Sequence, residues 1–313
     1  MAKTNGTTEK HVAGVPETSE IDAIKGRSLW QDTFRRFKKN KLAVISAIFL
    51  IFLTTVSIST IIVDVVTADA FYNQYVISQD LRNRLQPPGA ENIFGLDEFG
   101  RSIFWRIMWG VRYSLFMGVL SVLMAALVGG ILGSIAGYYG RMADHVVMRA
   151  MDVLMAMPSI LLAIAIVAAL GPGLGNVLIA ISISFIPNFA RMVRASIMTV
   201  RDQEFVEAAD AVGASDLRII VEHILPNAMA PIIVQATLGV ASAILSIAGL
   251  SFLGLGIQPP TPEWGAMLSS ARAFMRDHIH VAIIPGVAIM MTILALNLVG
   301  DGLRDALDPK LKN

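Results

Sequence analysis

Residues 42–63 read LAVISAIFLIFLTTVSISTIIV and contain no charged side chain. A bilayer core is about 30 Å thick and needs about 20 apolar residues in helical form. Leu42–Val63 meets that length. It is too long for the core of a secretory signal, and about 40 mostly polar residues precede it, so it reads as a permanent span rather than a cleaved leader. The rest of the chain repeats the pattern. Ser114–Gly137, Val153–Leu170, Leu174–Ala190, Pro231–Leu253 and Val281–Val299 are five further apolar runs. Pro158 interrupts the third and Pro285 the sixth, and a Gly-Pro-Gly turn at Gly171–Gly173 separates the third from the fourth. The expected fold class is an all-α polytopic membrane protein with six transmembrane helices.

Composition agrees. Of 313 residues, 55% are hydrophobic and 16% charged, whereas soluble domains carry about 25% charge. Disorder, a collagen-like fibre and an ordinary soluble enzyme are excluded. A net charge of +1 offers no basic field for nucleic acid. There is no cysteine, hence no disulfide, thiolate zinc site or iron–sulfur cluster.

Basic residues set the orientation. Nine Lys and Arg precede the first span, and Arg35, Arg36, Lys38, Lys39 and Lys41 abut it. With residue 1 in the cytoplasm, only seven of the 25 basic residues fall outside. Both termini are therefore expected inside. The expected organisation is an N-terminal cytoplasmic segment (1–41), span one (42–63), an outer loop (64–113), a five-span core (114–303) with a large cytoplasmic loop (191–230), and a cytoplasmic tail (304–313). Within the outer loop, Ile103, Phe104, Ile107, Met108 and Val111 recur at helical spacing beside Trp105 and Trp109. That spacing predicts an amphipathic helix lying on the outer surface; an extension of span two fits it equally well. In span two, Gly129, Gly133 and Gly137 form a small-xxx-small stripe for close helix packing, either within the chain or against a partner subunit.

The 191–230 loop is far longer than an ordinary connection and needs structure of its own. Glu204–Val212 and Asp216–His223 read as two short helices. Gly213 suits the left-handed position that ends the first. Ser215 suits the N-cap of the second, with Arg218 one turn on, and Pro226 is expected to stop it. A rigid knob of this kind suggests docking to another protein. Glu207-Ala208-Ala209, Gly213 and Leu225-Pro226 stand at the spacing of the "EAA" loop, E-A-A-x3-G-x9-I-x-L-P, and the chain resembles the permeases of binding-protein-dependent ABC importers. His223 holds the isoleucine position of that pattern. Phe94-Gly95-Leu96-Asp97-Glu98-Phe99-Gly100-Arg101 is similar to the "FGTDxxGRD" segment of the dipeptide/oligopeptide/nickel permeases, with Leu96 for Thr and Ser102 for Asp. Gln258-Pro259-Pro260-Thr261-Pro262-Glu263-Trp264-Gly265 and the stretch from Gly300 to Pro309, GDGLRDALDP, resemble further signatures of that family, and of its second permease in particular.

The resemblance implies a type I ABC importer permease fold in the cell inner membrane. It implies import of di- or oligopeptides, or of a related solute such as a nickel chelate. The implied partners are a homologous second permease, two cytoplasmic ABC ATPases, an extracytoplasmic solute-binding protein and membrane lipid. ATP and magnesium would bind the ATPases, with no cofactor on this chain. The implied coupling residues are Glu207, Ala208, Ala209, Asp210, Gly213, Ala214, Ser215, Arg218, His223, Leu225 and Pro226, with the coupling helix over roughly 214–221.

Other chemistry is excluded by what is missing. The sequence contains no Gly-Lys pair, so it has no P-loop, and it has no H-E-x-x-H. His278 and His280 make the only histidine cluster, which suits an interface better than a metal. The six apolar runs hold no ionisable side chain, which argues against a proton- or sodium-coupled carrier and leaves a lone secondary transporter or channel as the rival reading. Asn188, Gln235 and Asn297 are the candidate path-lining residues, with Asn188 and Asn297 also expected to hydrogen-bond between helices.

Overall fold

A computed structural model describes residues 29–307, and every described element is helical. The first helix, α1 (Leu29–Phe37), is followed by α2 (Lys41–Thr67), α3 (Ile103–Tyr139), α4 (Arg141–Met155), α5 (Ser159–Leu170) and α6 (Leu174–Arg201). Next come α7 (Glu204–Ala211), α8 (Asp216–Phe252), α9 (Trp264–Ala271) and α10 (His280–Leu307). Five of these, α2, α3, α6, α8 and α10, are long and apolar enough to cross a membrane. The pair α4–α5 makes a sixth span only as a bent unit. The first 28 residues of the N-terminal segment and the end of the tail, including Asp308 and Pro309 of the C-terminal signature, lie outside the described residues.

Several boundaries differ from those the sequence predicts. Residues 97–113 do not form a helix of their own on the outer surface. From Ile103 onward they are the first turns of α3, which has 37 residues and is about 55 Å long. Between the second and third apolar runs the chain is not a loop but the helix α4, Arg141–Met155. Pro158, extended at φ −52° and ψ 135°, breaks the third run, and α5 leaves α4 at 82°. Proline lacks the N–H and disfavours helical geometry in the residue before it. The stretch 254–280 contains the short helix α9.

The charge-free description of the spans also changes. α2 runs beyond Val63 to Thr67 and carries the buried Asp64. Trp109 Nε1 of α3 donates to Asp64 Oδ1 at 3.0 Å, and Arg112 Nη1 pairs with Oδ2. A carboxylate at the end of an apolar helix is tolerable because the neighbouring helix brings a cation and a donor to it.

The core between the long helices is apolar. Met117, Val122 and Ala125 of α3 pack with Val167 of α5, Ile181 and Phe189 of α6, and Ile244 and Ile247 of α8. The glycine stripe faces α6 within the same chain. A Cβ on Gly129 would stand 2.7 Å from the Ile186 carbonyl, and one on Gly133 would stand 2.4 Å from that of Ala190. On Gly137 it would meet the Ile197 side chain at 2.9 Å. Between apolar helices in lipid, such backbone approach is the main source of association.

One end of the bundle is closed by a cap of loops. Asp97 Oδ1 accepts from the backbone N–H of Phe99 and Arg101, and Oδ2 accepts from Arg101 Nε at 2.7 Å. Gly95 and Gly100 both adopt φ +76°, and a Cβ on Gly100 would overlap the Asp80 carbonyl. Arg106 Nη1 donates to the Pro260 carbonyl at 3.0 Å, and Trp264 Nε1 donates to that of Ile107 at 3.1 Å. Glu263, 1% exposed, caps α9 by accepting from Gly265 N and Ala266 N at 2.8 and 2.7 Å. Burial holds this carboxyl above the usual range, against the opposing pull of those two N–H groups. The segments 94–101 and 258–265 thus lock together over the start of α3.

Two tests follow from this packing. Gly133→Leu should cost about 1–3 kcal/mol or more, because α3 and α6 must part to admit the side chain. Gly130→Leu should be nearly neutral, since nothing lies within 4 Å of its Cβ position; melting temperatures of the two variants in mild detergent check the contrast. Glu263→Ala leaves two buried N–H groups unpaired, at about 1–3 kcal/mol each. The expected result is a lowered melting temperature and faster proteolysis within 254–280.

Candidate functional site

At the end opposite the cap, the chain leaves α6 at Arg201 and enters the loop that the sequence singles out. Arg201 Nη1 donates to the carbonyls of Gly137 and Tyr138 at 3.0 and 3.2 Å, tying the end of α6 to the last carbonyls of α3. A cation at a helix C-terminus satisfies orphan acceptors and favours the dipole. Arg201 and Tyr138 are bracing residues that reading the sequence missed, although a basic residue ending a predicted helix was a usable signal for Arg201.

The turn between α7 and α8 is built as the spacing requires. Gly213 has φ +83°. Its N–H donates to the Asp210 carbonyl at 2.8 Å, and that of Ala214 reaches the Ala209 carbonyl at 3.1 Å. These two bonds define the Schellman closure of a helix C-terminus. Ser215 is extended at φ −70° and ψ 150°, as an N-cap should be, but its side chain makes no capping bond. Pro226 does not stop the second helix. Ile219–Ile224 form a wider π-helical turn that runs without a break into the remainder of α8. Wider turns of this kind occur inside α-helices, and here one precedes the proline that cannot donate. The stretch expected as the 191–230 loop therefore holds the last turns of α6, one short helix and the first turns of a 37-residue one.

The motif residues divide by face. Ala209 is buried with Val206 against Ile197 and Val200 of α6 and Ile219 and Ile224 of α8. Glu207, Ala208, Asp210, Gly213, Ser215, Arg218 and Pro226 are exposed, while Ala214, His223 and Leu225 are half-buried. Ile224, fully buried, does the packing that His223 does not. Arg218 Nε pairs with Glu222 Oε2 at 2.8 Å, and Tyr138 donates to Asp216 Oδ1 at 3.1 Å. Around the turn, Val212, Leu217 and Val221 are 85%, 72% and 53% exposed. The turn thus holds apolar side chains outward on a loop whose other exposed residues are mostly polar.

The three candidate path residues are not brought together by a shared bond. Asn188 is exposed on α6, Gln235 and Asn297 are half-buried on α8 and α10, and none makes a side-chain hydrogen bond among the described residues. The interhelical bonds expected of Asn188 and Asn297 are absent among the described residues of this chain. His278 and His280 rings meet edge to face at 6.1 Å, and the His280 ring lies under Gly95 in the cap. Among the described residues no three His, Asp or Glu side chains gather as a metal ligand set.

Residues 129–313 match the family of binding-protein-dependent transport system inner membrane components, and residues 28–88 match the N-terminal transmembrane domain of oligopeptide transport permease C. A dipeptide transport system permease protein of Alkalihalophilus pseudofirmus is 50% identical over 292 residues, covering 93% of each chain. A glutathione transport system permease protein of Escherichia coli is 46% identical, covering 91% of this chain and 92% of that one. The inward-facing MetNI methionine ABC transporter superposes with a TM-score of 0.54 at 19% identity, over 66% of this chain and 98% of the other. A crystal structure of an amino acid ABC transporter with histidines gives 0.52 at 16%, over 64% and 94%. The last two likenesses concern the fold alone, and the first four findings decide the family: the chain belongs to the inner-membrane permease components of binding-protein-dependent ABC importers.

Proposed function

We propose that this chain is one of two homologous permeases that together form the translocation path of a peptide importer, with both termini in the cytoplasm. Dipeptides and short oligopeptides are its cargo. The observation that carries this reading is the 50% identity, over 93% of both chains, to a dipeptide transport permease. Two ATPase subunits bind at the α7–α8 turn, and ATP and magnesium are held by them. A solute-binding protein delivers cargo at the capped end and does most of the selecting.

The geometry supports a direct route for coupling. Val212, Leu217 and Val221 offer the ATPase an apolar knob, with Glu207, Asp210 and Arg218 as polar contacts around it. The knob cannot give way locally, because Val206 and Ala209 are packed onto α6 and α8. α8 then runs about 55 Å from the knob to the cap, where a Cβ on Gly265 would stand 2.6 Å from Ala248 Cα. Displacement at one end is therefore felt at the other. ATP closes the ATPase pair, the two knobs approach, and the path opens outward; hydrolysis resets it. The permease works without ion coupling of its own, which sets it apart from a secondary transporter.

Burying Leu217 in a partner cleft is worth about 1.5–3 kcal/mol. Leu217→Asp should therefore weaken ATPase copurification at least about tenfold while the chain still inserts. Glu207→Lys and Gly213→Pro should abolish ATP-driven uptake of a labelled dipeptide at unchanged membrane levels. Full uptake in these variants, or uptake by the chain reconstituted without ATPases, would overturn the coupling role. Competition by peptides of graded length, with and without the binding protein, defines the cargo.

A further inference from the structure

The helix that leads into the third apolar run carries a different device. α5 carries no charge and packs along α6, whereas α4 turns from it by 82° and so lies across the end of the bundle. Met142, Val146 and Val153 fall four and seven residues apart on one face of α4, at 73%, 63% and 66% exposure. The adjacent face is polar. Asp144, His145, Met148, Arg149 and Asp152 line a cleft of about 490 Å³ with Arg191 and Arg194 of α6. Within it, Arg194 donates from Nε and Nη2 to the two oxygens of Asp144, and Arg191 Nη2 donates to Asp152 Oδ1. Arg149 is exposed and makes no hydrogen bond or ion pair among the described residues. Three arginines against two aspartates leave one positive charge uncompensated, before His145 is counted.

We propose that this cleft binds the headgroup phosphate of an acidic phospholipid, whose acyl chain lies along Met142, Val146 and Val153. Helices that lie in the plane of the interface bury an apolar face and turn basic groups to the headgroups. Basic pockets between spanning helices select anionic headgroups for the same reason. A zwitterionic dipeptide would meet the charges of the cleft but leave the apolar stripe uncovered. An acidic lipid satisfies both, with Arg149 as the free cation and Arg191, half exposed beside Asp152, as the second donor. The bound lipid would fasten α4, and with it the α4–α5 bend, to the membrane surface.

The test uses the complete transporter purified in mild detergent. Its melting temperature is followed while phosphatidylglycerol, phosphatidylcholine with the same acyl chains, inorganic phosphate or dialanine is titrated in. Phosphatidylglycerol should raise the midpoint, phosphatidylcholine should not, and Arg149→Gln should weaken the effect about fivefold, as one surface arginine implies. Arg149→Lys should restore it, and both variants should melt like the parent in phosphatidylcholine, since Arg149 has no partner to lose. Any of four results would overturn the proposal: an equal response to phosphatidylcholine, an undiminished response in Arg149→Gln, a matching shift with inorganic phosphate alone, or an Arg149-dependent shift with dialanine, which would assign the cleft to cargo.

Discussion

Contact between α3 and α6 through Gly129, Gly133 and Gly137 is the constraint from which the rest of the bundle is hung. Lipid is as apolar as leucine, so there is no hydrophobic force to press two spans together. What holds them is dispersion between surfaces close enough to touch, and only glycine lets the backbone of α3 reach the Ile186, Ala190 and Arg194 carbonyls and neighbouring Cβ atoms. α5 packs on the far part of α6, α8 closes over Val122 and Phe189, and Arg201 fastens the lower ends of α3 and α6. With that frame fixed, the cap and the loop at the two ends share one packed base.

The two ends solve opposite problems. The cap must bury ionic groups: Asp97 with Arg101, Asp64 with Arg112, and Glu263 among backbone N–H groups. Each charge there meets an opposite charge or a set of donors, the condition under which a buried charge is tolerated. The loop end does the reverse, holding apolar side chains outward on a turn closed by backbone bonds at Gly213. Burial makes the first end rigid; exposure makes the second available. α8 joins them as one helix from Asp216 to Phe252, with its π-helical turn and Pro226 near the loop end.

Much of this was readable in the chain. Leu42–Val63 reads as a span because 22 uncharged residues leave lipid no other way to satisfy the backbone. Gly213 reads as a helix end because its position demands a left-handed residue, and it has one. The stretch before Tyr113 was ambiguous because helical spacing does not say where a helix begins, and from Ile103 onward it is the head of α3. Pro226 misled, since the rule that proline ends a helix omits the case where the preceding turn has already widened. Residue type alone does not say which face of a helix a side chain takes, and Asn188 is exposed on α6 within this chain.

Sequence alone determined the class, the apolar runs and the left-handed turn at Gly213, because bilayer thickness and left-handed backbone geometry act locally. Only the tertiary structure decided how the charges are housed. The partners of Asp64 lie 45 and 48 residues away on α3, and Arg106 reaches Pro260 across 154. Electrostatic pairing in a low-dielectric cap depends on distance in space, and no periodicity along the chain encodes it.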